Sequence, residues 1–261
     1  MRRTTDLCVA AHQDDIEIMA YAPVIACYSN PDRWFTGVVV TDGAGSPRSG
    51  IYANCTDEDM KRIRAKEQKN AALIGQYSAQ FLLAYKSAEV KNPHNQALSD
   101  ELKDILLSCA PHTVYTHNLA DKHDTHVATA LQVIKALRQV PAQNRPQKVV
   151  SLEVWRSLDW LCDQDKLLFN AGERPNLSAA LLGVFDSQIA GGKRYDLAAA
   201  GRRLANATFF ASHEVDDADS VCFGLDITEL MESDLDPLTF INRRIAHFQQ
   251  EVNSRIAGLW G

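Results

Sequence analysis

Over its first 150 residues the chain alternates two kinds of segment, and that alternation leaves few folds open. Leu7–Ala11, Gly37–Thr41, Phe81–Tyr85, Thr113–Thr116 and Val149–Val154 are short and nearly continuously apolar. Strands covered on both faces must read this way. Between them lie helical stretches. Asp57–Ile74 is rich in helix formers and starts behind Thr56, a natural N-cap. Ser99–Ser108 puts Leu102, Ile105 and Leu106 on one face, and His123–Leu137 does the same with Val127, Ala130, Leu131, Ile134 and Leu137. Strand, helix and strand repeated with right-handed crossovers predict an α/β fold: a Rossmann-like, mostly parallel, doubly wound sheet with helices on both faces.

Beyond about residue 155 the pattern weakens into a C-terminal extension. Ala179–Ala190 and Tyr195–Ala205 read as helical, Val221–Ile227 as a strand, and Gly191-Gly192-Lys193 as a turn. Leu235–Ile256 aligns Phe240, Ile241, Ile245, Phe248, Val252 and Ile256 in one stripe, an amphipathic helix packed on the domain or on a second copy in a homo-oligomer. With no repeat or linker, the expectation is one domain over 1–261, its catalytic core ending near 155 and the extension covering 156–261.

Composition narrows the function classes. Lys+Arg 27 against Asp+Glu 33 gives a net charge of -6, which argues against nucleic acid as a partner. No apolar run reaches the roughly 20 residues of a membrane span. The N-terminal segment Met1–Asp6 lacks an apolar export region, and the six cysteines form no C-x-x-C pair. Both features suit a cytoplasmic protein with reduced, packed thiols.

Ligands of open α/β sheets bind beyond the carboxyl ends of the strands. Two such places carry chemistry. The first strand runs into His12-Gln13-Asp14-Asp15, and the fourth into His117, followed by Asp121, His123 and His126. His123 and His126 sit three apart at a helix start, on neighbouring rows of one face. Asp121 is placed to cap that helix. Adjacent Asp14 and Asp15 can divide their work, one facing a metal and the other its water. His12, Asp15 and His126 together make two imidazoles and a carboxylate, the three-ligand set of catalytic zinc with a position left open. Iron or another divalent ion suits the same donors.

The pieces His12-Gln13-Asp14-Asp15 and His123-x-x-His126, with Thr41-Asp42-Gly43 and Arg64-x-x-Glu67 between them, resemble the H-P-D-D and H-x-x-H signatures of the PIG-L/LmbE-like zinc deacetylases. The resemblance covers at least the first 150 residues. It implies zinc held by His12, Asp15 and His126. It implies Asp14 as general base and His123, as a cation, polarising the amide oxygen and protonating the leaving amine. Arg64 matches the position that contacts substrate or acetate. The implied reaction removes an acetyl or other acyl group from a small N-acyl substrate, an N-acetyl amino sugar or glycoside foremost. Gln13 replaces the family's proline, relaxing the turn. Thr125 stands where many members carry an aspartate that orients the histidine pair.

Other readings compete. Arg64 and Glu67 at i,i+3 also suit an ion pair on a solvated helix face. Gly192-Lys193-Arg194, with Arg202-Arg203 beyond it, reads as a solvated face, with an anionic-substrate patch as the alternative. An amidase acting on a non-sugar or thiol-conjugate amide would use the same residues. A non-catalytic nucleotide-binding protein would need glycines after the first strand, and there are none.

Overall fold

The structure, a computed structural model, describes residues 3–261; Met1 and Arg2 of the N-terminal segment lie outside the described residues. The strands among them are β1 (Asp6–Ala10), β2 (Phe35–Thr41), β3 (Ala79–Tyr85), β4 (Thr113–His117), β5 (Lys148–Leu152), β6 (Leu167–Asn170) and β7 (Val221–Asp226). The helices are α1 (Asp15–Met19), α2 (Tyr21–Cys27), α3 (Asp57–Ile74), α4 (Ser87–Val90), α5 (Gln96–Cys109), α6 (Asp124–Gln139), α7 (Pro175–Gly183), α8 (Asp186–Ile189), α9 (Tyr195–Phe209), α10 (Glu229–Glu232) and α11 (Pro237–Trp260).

One sheet runs in the order β3-β2-β1-β4-β5-β7-β6. The first five strands are parallel, and β7 and β6 add antiparallel pairings at the β5 side. Alternation along β1 explains the two-sided burial. Leu7 and Val9 join a core with α5 and α6, while Cys8 and Ala10 join a second core with α1, α2, α7 and α9. Each face is sealed by helices, as a parallel sheet requires. The order reverses between β1 and β4, and a crevice opens there.

The extension is part of this sheet. It supplies β6 and β7, and α7 and α9 cover one face. The expected continuous helix over Ala179–Ala190 is instead α7 and α8, separated by Val184 and Phe185. β6 had no sequence signal, because four residues with every second side chain exposed are too few to show a period. In α11 only Phe240 and Ile241 are buried, so most of the apolar stripe is not covered by this chain. No helix among the described residues is long and apolar enough to cross a membrane.

The first strand-to-helix turn is braced from below by a buried carboxyl. Glu17 accepts hydrogen bonds from Gln68 Nε2 at 2.9 Å and Tyr77 Oη at 2.8 Å. Burial nonetheless pushes its carboxyl from 4.5 up to about 7. The stabilisation from protonated Glu17 is therefore complete below about pH 4.5 and lost as pH rises through 7. In metal-free protein, Glu17→Gln is expected to gain on the parent by on the order of 2–3 kcal/mol between pH 4.5 and 7.5. Urea unfolding of both proteins across that range is the check; parallel curves would contradict the assignment.

Candidate active site

The floor of the crevice is made by the two loops the sheet topology brings together. Asp15 opens α1 and accepts the His12 backbone N–H at 2.7 Å, which folds the turn back on itself. His12 Nδ1 lies 3.3 Å from Asp15 Oδ2 and 3.1 Å from His126 Nε2, and His126 Nε2 lies 3.4 Å from Asp15 Oδ2. Donors bound about 2.0–2.2 Å from one tetrahedral ion stand about 3.4 Å apart. The three atoms therefore fit a single divalent cation, and two loops separated by more than a hundred residues meet as expected. Asp15 is held well below the carboxylate range: burial opposes ionisation, but His126, His117 and His12 outweigh it.

Asp121 does different work from the expected capping. His123 is the N-cap of α6, its Nδ1 accepting the Thr125 backbone N–H at 3.3 Å. Asp121 instead faces His126 Nδ1 at 3.3 Å with Oδ2, and accepts the His123 backbone N–H at 3.0 Å with Oδ1. Burial would raise this carboxyl, yet its bonds to His126 and the backbone bring it down to about 2. With its Nδ1–H held there, His126 turns its Nε2 lone pair toward His12 and Asp15. Asp121 thus supplies the orienting carboxylate that Thr125 cannot. Asp121→Asn is expected to weaken metal affinity about 10- to 100-fold. Competition with a chromophoric chelator measures this, and unchanged affinity would refute it.

His117 looks like another ligand but is spent otherwise. Its Nε2 accepts the Ala11 N–H at 2.8 Å, so its lone pair is engaged although Asp15 Oδ2 is 3.4 Å away. Burial and the neighbouring His126 lower it to about 4, so it stays neutral.

His123 closes one side of the site, its ring 4.6 Å from that of His126 and 5.0 Å from that of His12. Burial, His126 and His12 all lower its pKa, and protonating Nδ1 would break the cap at the positive end of α6. The neutral ring offers Nε2–H as its donor.

Asp14 is held in the left-handed region at φ 87°, a conformation costing about 1–3 kcal/mol for a side-chain-bearing residue. α3 maintains it. Arg64 Nη2 donates to Asp14 Oδ2 at 2.9 Å and to the Gln13 carbonyl, while the Asp14 N–H donates to Gln68 Oε1 at 3.2 Å. Burial pushes the Asp14 carboxyl up to about 6 against the pull of Arg64. Arg64 and Glu67 are therefore not a solvated pair: Arg64 is 1% exposed, and Ser187 from α8 donates to both Glu67 oxygens. Arg64 does border the cavity, but Nη1 is committed to Glu67 at 2.8 Å and Nη2 to Asp14 and Gln13. Gln13 does not loosen the turn either; its Nε2 donates to the Thr41 carbonyl at 2.9 Å, tying β1 to the end of β2. Beside it Gly43 has φ 76°, and a Cβ there would meet Gln13 Oε1 at 2.7 Å and Arg64 Cβ at 2.8 Å.

These groups open into a cavity of about 430 Å³ that Thr41–Pro47 rim on one side. Trp155 and Tyr195, which the sequence reading missed, line it too, together with Lys193. Trp155 lies nearly parallel to His123 (6.4 Å, 14°), and Lys193 Nζ sits 5.7 Å over its ring. The basic run is thus not a plain solvated face. Arg203 is buried as well, donating to the carbonyls of Glu17 and Ile18. No signal in a single sequence marks this wall, because the segment after β5 and the start of α9, forty residues apart, build it together.

Comparison with known proteins places this geometry. A family model described as PIG-L, GlcNAc-PI de-N-acetylase, matches residues 7–137, half of the chain. No curated protein matches the sequence significantly. Among solved structures, N,N'-diacetylchitobiose deacetylase from Pyrococcus horikoshii superimposes with a TM-score of 0.68 at 15% identity, over 88% of this chain and 86% of its own. The conserved protein TT1542 from Thermus thermophilus gives 0.67 at 16%, over 86% and 94%. GalB, the 4-carboxy-2-hydroxymuconate hydratase from Pseudomonas putida, gives 0.64 at 16%, over 86% and 96%. At such identities the likeness is one of fold, and a fold shared by a deacetylase and a hydratase does not choose the reaction. The family model does: the chain belongs to the PIG-L family of de-N-acetylases, metal-dependent hydrolases of amide bonds.

Proposed function

We propose that this protein is a zinc-dependent N-deacetylase acting on a small N-acetyl amino sugar or glycoside. The observation that carries the reading is three donor atoms within 3.4 Å of one another, beside a buried carboxyl brought to about 6. His12, Asp15 and His126 would hold the cation, which, when bound, lowers the pKa of water and polarises the acyl carbonyl. Asp14, largely ionised at neutral pH, accepts the proton of the attacking water as its oxygen bonds to the carbonyl carbon. His123 Nε2–H donates to the carbonyl oxygen as negative charge develops there, a contribution of about 3 kcal/mol for one such donor. The C–N bond then breaks, and the proton held by Asp14 passes to the leaving nitrogen. Amine and acetate are the products. Arg64, instead of touching substrate, holds Asp14 at its strained position.

The sugar preference rests on Trp155, Lys193 and Tyr195 in the cavity wall. Trp155 offers a flat apolar face to the C–H side of a pyranose ring, and Lys193 and Tyr195 offer polar atoms to its hydroxyls. Trp155→Ala is expected to raise KM about tenfold with little change in kcat, about 1.4 kcal/mol of ground-state binding. Steady-state kinetics separate the two constants; a loss in kcat alone would contradict a binding role.

The deciding experiment strips the protein of metal, restores one equivalent of zinc or iron(II), and measures acetate release. The panel holds N-acetylglucosamine, N,N'-diacetylchitobiose, N-acetylated amino acids and N-acetylated thiol conjugates. Release from the sugars with one metal and none without it is the expected result. Release confined to amino acid or thiol amides would replace the sugar assignment with the amidase one.

A further inference from the structure

A second set of metal-binding side chains lies outside the cavity just described. Cys162 and Asp165 bracket the 3-10 turn Asp163–Asp165, and His247 projects from the middle of α11. One donor atom from each lies within 4.8 Å of the other two. Burial, and then the neighbouring Glu251 carboxylate one turn beyond His247, push the Cys162 thiol up to about 11. The sequence shows the arrangement as C-x-x-D and H-x-x-x-E, and i,i+4 spacing puts His247 and Glu251 on one face of α11.

The location has a mechanical meaning. α11 buries only Phe240 and Ile241, both in its first turns. From Arg244 onward its polar contacts converge on the same turn: Arg244 Nη1 to Asp165 Oδ1 at 2.9 Å, His247 Nδ1 to Asp165 Oδ2 at 2.9 Å, and His247 Nε2 to Gln164 Nε2 at 3.0 Å. Exposed polar contacts of this kind contribute little individually.

We propose that Cys162, Asp165 and His247 form a second site for a thiophilic divalent cation, zinc by its chemistry, that clamps α11 to the turn before β6. Sulfur, imidazole nitrogen and carboxylate oxygen together are a zinc set; calcium and magnesium want oxygen alone. Arg244 engages Asp165 Oδ1, so the cation would take Oδ2 in place of the proton that Oδ2 now shares with His247 Nδ1. A fourth position is left for water. On binding, the sulfur–metal bond replaces the S–H bond and one proton is released to solvent. The site is independent of the deacetylase assignment, since none of its residues lines the active-site cavity.

Cobalt(II) distinguishes the two sites, because the active-site donors are nitrogen and oxygen only. Metal-free protein titrated with cobalt(II) is expected to develop a sulfur-to-cobalt charge-transfer band in the near ultraviolet. Cys162→Ser and the milder surface change His247→Ala should each abolish the band and lower bound zinc from about two ions per chain to about one. Amide exchange over residues 244–256 should slow roughly 100-fold when free zinc is a hundred times its dissociation constant, and not in Cys162→Ser. Absence of the band in the parent protein, its persistence in Cys162→Ser, or zinc-independent exchange in α11 would each overturn the proposal.

Discussion

Replacing His12 by alanine is expected to strip the active site of its metal and lower kcat/KM by at least ~10³-fold. His12 is the informative position because its side chain is 26% exposed, whereas His126 is buried against Asp121. Deleting His126 would orphan a buried carboxylate and confound loss of metal with loss of fold. His12→Ala leaves Asp15 with its other histidine neighbours, so the unfolding transition should move little while the ion is lost. Metal analysis after gel filtration, with kinetics at rising zinc, measures both effects. Recovery of part of the rate at high zinc would fit a weakened site. Full activity with one tightly held ion would mean that His12 is no ligand and that His123, which groups with it and His126, takes its place.

The second large effect separates chemistry from metal binding. Asp14→Asn keeps the shape of the side chain and an oxygen for Arg64, but it cannot accept a proton. Its kcat is expected to fall about 10²- to 10⁴-fold, with KM and metal content close to those of the parent. The parent should also show an acidic limb in kcat/KM at or below the pH of about 6 where this carboxyl titrates, because a bound cation can only draw that value down. Activity falls below the limb as Asp14 takes up its proton. Asn at this position removes the limb. A variant that keeps both the rate and the limb would transfer the base role elsewhere, and His123 would be the next candidate.

Much of the fold could be read from one dimension because its signals are local. The five parallel strands lie within two residues of the apolar runs at either end, and α3 spans the stretch that Thr56 announces. The pairing of His12 with His126 was legible too. A parallel sheet puts the loops after β1 and β4 side by side, so a ligand-bearing pair in each loop implies one site. Limits appeared where the meaning of a residue depends on what covers it. Arg64, Glu67 and Gln68 look like the solvated face of a charged helix, yet they form a buried stripe that holds Asp14 and Glu17. Asp121 looks like a helix cap and is the partner of His126. Trp155 and Lys193 carry no pattern: one follows β5 directly and the other comes from the turn before α9, and only the fold brings them to one cavity.

What the order of residues determined by itself is therefore the sheet, its crevice and which side chains stand beside it, because periodicity and position after a strand follow from short-range geometry. What tertiary structure alone decided is the state of those side chains. Burial and neighbours drawn from distant segments bring Asp14 to about 6, hold Asp121 at about 2 and lower the pKa of His123. Desolvation and Coulomb energy depend on distances in space, and those do not exist until the chain has folded.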